Sequence, residues 1–171
     1  MNNSQNILRL NVGFVIHQTV GYKRDFIIEY PHAHLPPDLD LYNLLGTVRV
    51  TRITHGLLLQ VELVAQITAE CARCLGSLSQ PLEINFAELY TFTQDSAIES
   101  GQVISEEGVI DLQPLVREEM LLAVPINPLC NPDCKGLCSI CGGNRNVEPC
   151  SHEEHLGDPR LSVLKSLLKG G

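Results

Sequence analysis

The sequence predicts an α+β protein: mainly antiparallel β-sheet, or a partly open barrel, with one packed helix, a cysteine-rich segment and a C-terminal helix. Three observations carry this. Apolar and polar residues alternate over several long stretches, as in strands with one buried face. Two other stretches carry helix punctuation. The seven cysteines fall in two clusters, two in "CARC" and five in "CNPDCKGLCSICGGNRNVEPCSH".

The strands come first in the chain. Tyr22, Phe26, Ile28 and Tyr30 alternate with Lys23, Asp25 and Glu29, which predicts a half-buried strand. "PHAHLPPDLD" reads as a loop. Val48 and Val50 alternate with Thr47, Arg49 and Thr51 in a second strand. His55-Gly56 reads as a hairpin turn, because Gly tolerates positive φ. The clearest strand follows, with Leu57, Leu59, Val61, Leu63, Ala65, Ile67 and Ala69 on one parity, and it runs into Cys71. After CARC, Leu82, Ile84, Phe86, Tyr90 and Phe92 alternate again, so Cys71 and Cys74 fall at the tip of an antiparallel hairpin. Residues 94–108 are polar and acidic and read as a mobile loop.

Two helices close the series. Asp111 can cap one over residues 112–124, with Pro114 tolerated in its first turn. Its apolar face would be Leu112, Leu115, Val116, Leu122 and Ala123. The second starts at Asp158-Pro159, ends at Gly170, and carries a stripe of Leu161, Leu164, Leu167 and Leu168 for docking. The expected organisation is a β-rich core domain with one helix over 1–125. A cysteine-rich segment with its helix docked on the core follows over 126–171.

A hydrophobic fraction of 44% allows a sizeable core, and four Phe, four Tyr and no Trp make it mainly aliphatic. No apolar run reaches ~18 residues and the start lacks a signal-peptide pattern, so the expectation is a cytoplasmic protein without a membrane partner. The net charge of −8 is uneven: residues 81–125 hold nine acids and one base, whereas the flanking regions balance. No long basic footprint for nucleic acid exists. The acidic stretch, with Asp95, Glu99, Glu106 and Glu107, is a solvated loop or a surface for a basic protein.

The cysteine spacings point to metal. Cys71-x₂-Cys74, Cys130-x₃-Cys134, Cys138-x₂-Cys141 and Cys150-x-His152 supply eight ligands, enough for two four-coordinate structural Zn²⁺ sites. Cys138, Cys141, Cys150 and His152 make one compact set. Cys71, Cys74, Cys130 and Cys134 make the other, which would clip the hairpin to the C-terminal segment. Gly142, following Cys141, suits a turn that aims backbone N–H groups at sulfur, and Gly136 and Gly76 could serve their own turns similarly. Iron remains open as the metal, and His155 as an alternative to His152. An odd cysteine count rules out complete disulfide pairing, and a redox CxxC would open a helix rather than join two strands.

At these residues the chain resembles the YceD family, the large ribosomal RNA subunit accumulation proteins of bacteria and plastids. The resemblance rests on "CARCL", "GVIDLQPLVREEMLLAVPINPLC", "CKGLCSICGGNRN" and "DPRLSVLKSLL", with "LRLNVGF" and "VGYKRDF" nearer the start. Relatives commonly close the array with Cys-x-Cys, where this chain has Cys150-Ser-His152. The resemblance implies a noncatalytic role in accumulation or processing of large-subunit (23S) ribosomal RNA, with the immature large subunit as partner. Contact would run through a basic ribosomal protein or through the RNA. No small-molecule substrate is implied. The alternatives are a zinc-dependent RNA-binding module using Arg73, Lys135 and Arg145, or a metal or redox enzyme. No phosphate loop or catalytic set supports the enzyme. His32 and His34 read as surface residues, and the adjacent Glu118 and Glu119 point apart on their helix.

Overall fold

The structure is a computed structural model that describes residues 7–92, 102–105, 107–148 and 150–152. The chain divides into two compact units: Met1–Ala69 with Ser79–Ile126, and Glu70–Leu78 with Asn127–Gly171. The helix expected over 158–170 lies outside the described residues.

The first unit is built on a sheet in the order β2-β3-β4-β5-β6: β2 Lys23–Leu35, β3 Leu39–Ile53, β4 Gly56–Glu70, β5 Ser77–Thr91 and β6 Gln102–Val103. β2 to β4 pair antiparallel and β6 joins β5 in parallel, which leaves the sheet open rather than closed as a barrel. A two-stranded sheet pairs β1 Arg9–Asn11 with β7 Val109–Asp111, next to the short helix α1 Gly13–Ile16.

The long alternation in β4 is real: Leu57, Leu59, Val61, Leu63 and Ala65 are all buried. In β2 and β3 the alternation changes phase. Ile28 is buried before Pro31, but Ala33 and Leu35 after it; Leu39 and Leu41 are buried before Asn43, but Leu44 and Val48 after it. The two strands keep one register throughout, so both switch faces together. Asn43 takes φ 50°, and the β3–β4 ladder shifts register between Tyr42 and Leu45. This irregularity corrects the reading of "PHAHLPPDLD" as a loop: most of it is strand, and the break in parity hides it from a pattern of period two.

Two glycines sit where no side chain fits. Gly46 has φ 150°, and a Cβ there would lie 2.0 Å from the Glu62 carbonyl oxygen. At Gly56 a Cβ would lie 2.0 Å from the Tyr90 carbonyl oxygen. The β3–β4 turn falls at Thr54-His55, one residue before the expected His55-Gly56; Gly56 opens β4 opposite Ile53 and is required by close backbone approach, not by positive φ. A second correction concerns 94–108, read as a loop: its described part includes β6 and buried Ile104.

Helix α2 Gln113–Ala123 occupies the expected place, and the Asp111 carboxylate accepts the Gln113 N–H at 2.9 Å. Leu112, Val116 and Met120, four residues apart, form its buried stripe. Leu122, expected on that face, is 74% exposed, and Met120 takes the core position. The hydrophobic core belongs wholly to the first unit; no described residue of the second unit joins it. Among the described residues no helix is long and apolar enough to cross a membrane.

Candidate metal centres

The described residues of the second unit form no apolar interior. Its buried described residues are Cys71, Cys134, Gly136 and Cys138, whereas Leu75, Ile140 and Val147 are exposed. Backbone hydrogen bonds knit two distant segments together. The Ala72 N–H donates to the Pro128 carbonyl at 2.8 Å, and the Leu137 N–H to the Arg73 carbonyl at 3.1 Å. The Arg73 guanidinium donates to the carbonyls of Cys134 at 3.0 Å and Pro132 at 3.3 Å.

These bonds gather Cys71, Cys74, Cys130 and Cys134, whose sulfurs all lie within 4.8 Å of one another. Cys71 and Cys134 are 3.8 Å apart, and Cys74 and Cys130 3.6 Å. A disulfide needs about 2.05 Å, so these are separate thiols. A tetrahedron with metal–sulfur bonds of ~2.3 Å has edges of ~3.8 Å, so the spacing fits four ligands around one ion. The second set is Cys138, Cys141, Cys150 and His152, with ligand atoms also within 4.8 Å of one another and Cys138 Sγ 3.9 Å from His152 Nδ1. Mixed sulfur–nitrogen edges around a tetrahedral ion run to ~3.6 Å, so this set is slightly looser. The structure thus places all eight sequence-derived candidates in the two groups expected. His155 lies outside the described residues.

The local backbone prepares the sulfurs. Backbone N–H groups of Cys130 and Cys74 hold the Cys71 thiol down to about 6, and those of Cys141 and Ile140 do the same for Cys138. The neighbouring sulfurs of Cys134, Cys74 and Cys71 push Cys130 up to about 12. Four sulfurs this close oppose one another's ionisation, and a dication removes that conflict. Gly136 and Gly142 both take φ 71°, as their turns require. In the CARC turn Leu75, not Gly76, carries the positive φ, at 56°; the residue directly after the second cysteine bends the chain, as Gly142 does after Cys141.

One supporting residue escapes a search for ligand types. The Asn146 side-chain N–H group donates to Cys134 Sγ at 3.3 Å, while its oxygen accepts the Lys135 N–H at 2.8 Å. The signal was present in "NRN": Asn144 accepts from Asn146, a side-chain turn that aims Asn146 at the sulfur.

The other candidates lie elsewhere. Asp95, Glu99 and Glu106 fall outside the described residues, and Glu107 is exposed in a turn. His32 and His34 are exposed on β2 and share one oxygen of Asp40, at 3.2 and 2.9 Å.

A sequence profile described as "Large ribosomal RNA subunit accumulation protein YceD" matches residues 59–168. An uncharacterized protein of Mycobacterium tuberculosis is 32% identical over 137 residues, which covers 77% of this chain and 61% of that one. The uncharacterized protein YlbN of Bacillus subtilis is 36% identical over 101 residues, 58% of this chain and 59% of its own. A Zea mays protein named "Large ribosomal RNA subunit accumulation protein YCED homolog 1, chloroplastic" is 27% identical over 157 residues, 74% of this chain and 54% of its own. The chain therefore spans between 54% and 61% of the length of these relatives. No solved structure matches.

Proposed function

This chain belongs to the YceD family of large ribosomal RNA subunit accumulation proteins, and on that premise we propose that it is a noncatalytic, cytoplasmic factor supporting accumulation of large-subunit (23S) ribosomal RNA. The family match over residues 59–168 carries the reading. In this reading Cys71, Cys74, Cys130 and Cys134 hold one Zn²⁺, and Cys138, Cys141, Cys150 and His152 a second. Bound zinc supplies cohesion to a unit whose described residues include no apolar core. Both sets use four protein ligands, which leaves no open position of the kind a catalytic zinc keeps. Elemental analysis of protein purified without added metal should find two zinc ions per chain; one equivalent would remove the two-site version, and stoichiometric iron would remove zinc.

The partner is the immature large subunit, reached through a basic ribosomal protein. The placement of nine acids and one base in residues 81–125 supports a protein rather than a phosphate contact. Arg73, one of three cations available to an RNA-binding alternative, is committed to the carbonyls of Pro132 and Cys134. Depletion in cells should lower the ratio of large- to small-subunit RNA. The tagged protein should sediment with large-subunit precursors. Combined Asp95→Asn, Glu99→Gln, Glu106→Gln and Glu107→Gln substitution should reduce that association. Tighter association would instead mean that phosphate is the target, because removing carboxylates removes repulsion.

A further inference from the structure

The face of the sheet that points away from the core is not uniformly polar. Leu45 and Val64 lie directly opposite each other in the β3–β4 ladder and are 43% and 45% exposed. Ile27 on β2, on the same face, is 81% exposed. Leu45 and Val64 line a shallow groove of about 370 Å³ together with Glu62 and Glu83. A second groove of about 360 Å³ shares Leu45, Val64 and Glu83 and continues to Pro81. Glu29 stands directly opposite Leu45 in the β2–β3 ladder. The apolar strip is thus bordered by the carboxylates of Glu29, Glu62 and Glu83, all exposed. On the same face, Arg49 is held by both oxygens of Asp25, at 2.8 and 2.9 Å, and offsets part of the Glu62 charge only, leaving Glu29 and Glu83.

An exposed aliphatic strip across adjacent strands is a feature a sheet surface does not need for its own stability. Its rim selects the occupant. A second copy of the chain would bring the same carboxylates against these, and like charges across an interface repel. An RNA strand would bring phosphates against them. A protein segment that alternates Lys or Arg with aliphatic side chains satisfies both features, with its apolar side on Leu45 and Val64 and its cations on the three glutamates. We propose that the outer face of β2–β5, centred on Leu45 and Val64, is a docking surface for a basic, aliphatic protein segment. The proposal uses none of the four carboxylates changed in the gradient experiment and requires no ribosomal component. The gradient experiment above can therefore fail while this proposal stands, and the reverse.

The test uses the full chain loaded with metal and a short fluorescent peptide of alternating lysine and leucine. A lysine–serine peptide of equal charge is the control. Anisotropy should report binding of the first peptide that is about tenfold tighter than that of the second, a margin attributable to the aliphatic strip. Leu45→Ser with Val64→Ser should abolish that margin. Glu62→Gln with Glu83→Gln should weaken both peptides about tenfold and flatten the salt dependence. All four positions face away from the core, so circular dichroism should match the parent. If either double variant loses the fold, the single variants Val64→Thr and Glu83→Gln replace it. Equal binding of both peptides, or binding unaffected by either substitution pair, overturns the proposal. So does competition by a single-stranded RNA oligonucleotide at this face, or self-association that Leu45→Ser abolishes.

Discussion

Removing metal should separate the two units by stability. The second unit has only cysteines and Gly136 buried among its described residues, so those residues gain little from burial of apolar surface. Folded domains retain about 0.05–0.15 kcal/mol per residue, which for a segment of this size gives only a few kcal/mol even with a normal core. A structural zinc in a small domain contributes roughly 10–16 kcal/mol of apparent binding energy, expressed as folding. Among the described residues of this unit the metal therefore outweighs the other sources of order. The first unit owns the whole core and should survive. The assay is amide hydrogen exchange before and after chelation, with metal content measured on the same sample. Protection over residues 127–148 should collapse while β3 and β4 keep theirs. Cys138→Ser alone should loosen residues 130–152 and again spare the sheet. Unchanged protection over 127–148 in protein verified as metal-free would refute the reasoning.

Four further outcomes follow from single positions. The Tyr90 hydroxyl is buried without a hydrogen-bond partner among the described residues, so Tyr90→Phe should raise stability by about 1 kcal/mol in denaturant titration. Burial, with Glu88 and Asp111 adding to it, pushes that phenol from its ordinary 10 up to about 12. Its contribution is therefore complete below pH 10 and lost as pH rises to about 12, and the Phe variant should show a shallower alkaline loss in that window. Gly46→Ala forces a Cβ onto the Glu62 carbonyl and should cost roughly 3 kcal/mol, read as a lower melting temperature. Leu75 is 62% exposed and left-handed, so Leu75→Gly should hold or raise the stability of the metal-loaded protein by up to ~1 kcal/mol. Gly142→Ala, with open space around it but φ 71°, should lower it by ~1 kcal/mol.

The parts of the fold legible in the sequence are those where one local rule acts alone. β4 shows this best: one parity is buried from Leu57 to Ala65, because the strand is regular along that length. β2 is legible only up to Pro31 and β3 only beyond Asn43, the two places where the buried parity changes. A switch made jointly by two strands leaves no mark in either alone. Leu122 and Met120 exchange roles for a different reason: both are apolar, and only the packing of α2 decides which faces inward. The two ligand sets follow from counting cysteines and their spacing. The support from Asn146 does not, because its role depends on the turn made by Asn144. Leu75 marks the same limit, since a left-handed leucine runs against its own preference and is held there by the surrounding turn.

The two cysteine sets differ in how far they reach along the chain. Cys138 and His152 are 14 positions apart, but Cys74 and Cys130 are 56 apart, and β5, β6, β7 and α2 lie between them. During translation at ~5–20 residues per second, Cys74 leads Cys130 by about 3–11 s. Through that interval the nascent chain carries a two-thiol half-site that can bind metal only weakly, and that oxidation could divert. The long-range centre closes only after the sheet strands and α2 have been synthesised. Its completion reports that the intervening chain has been made.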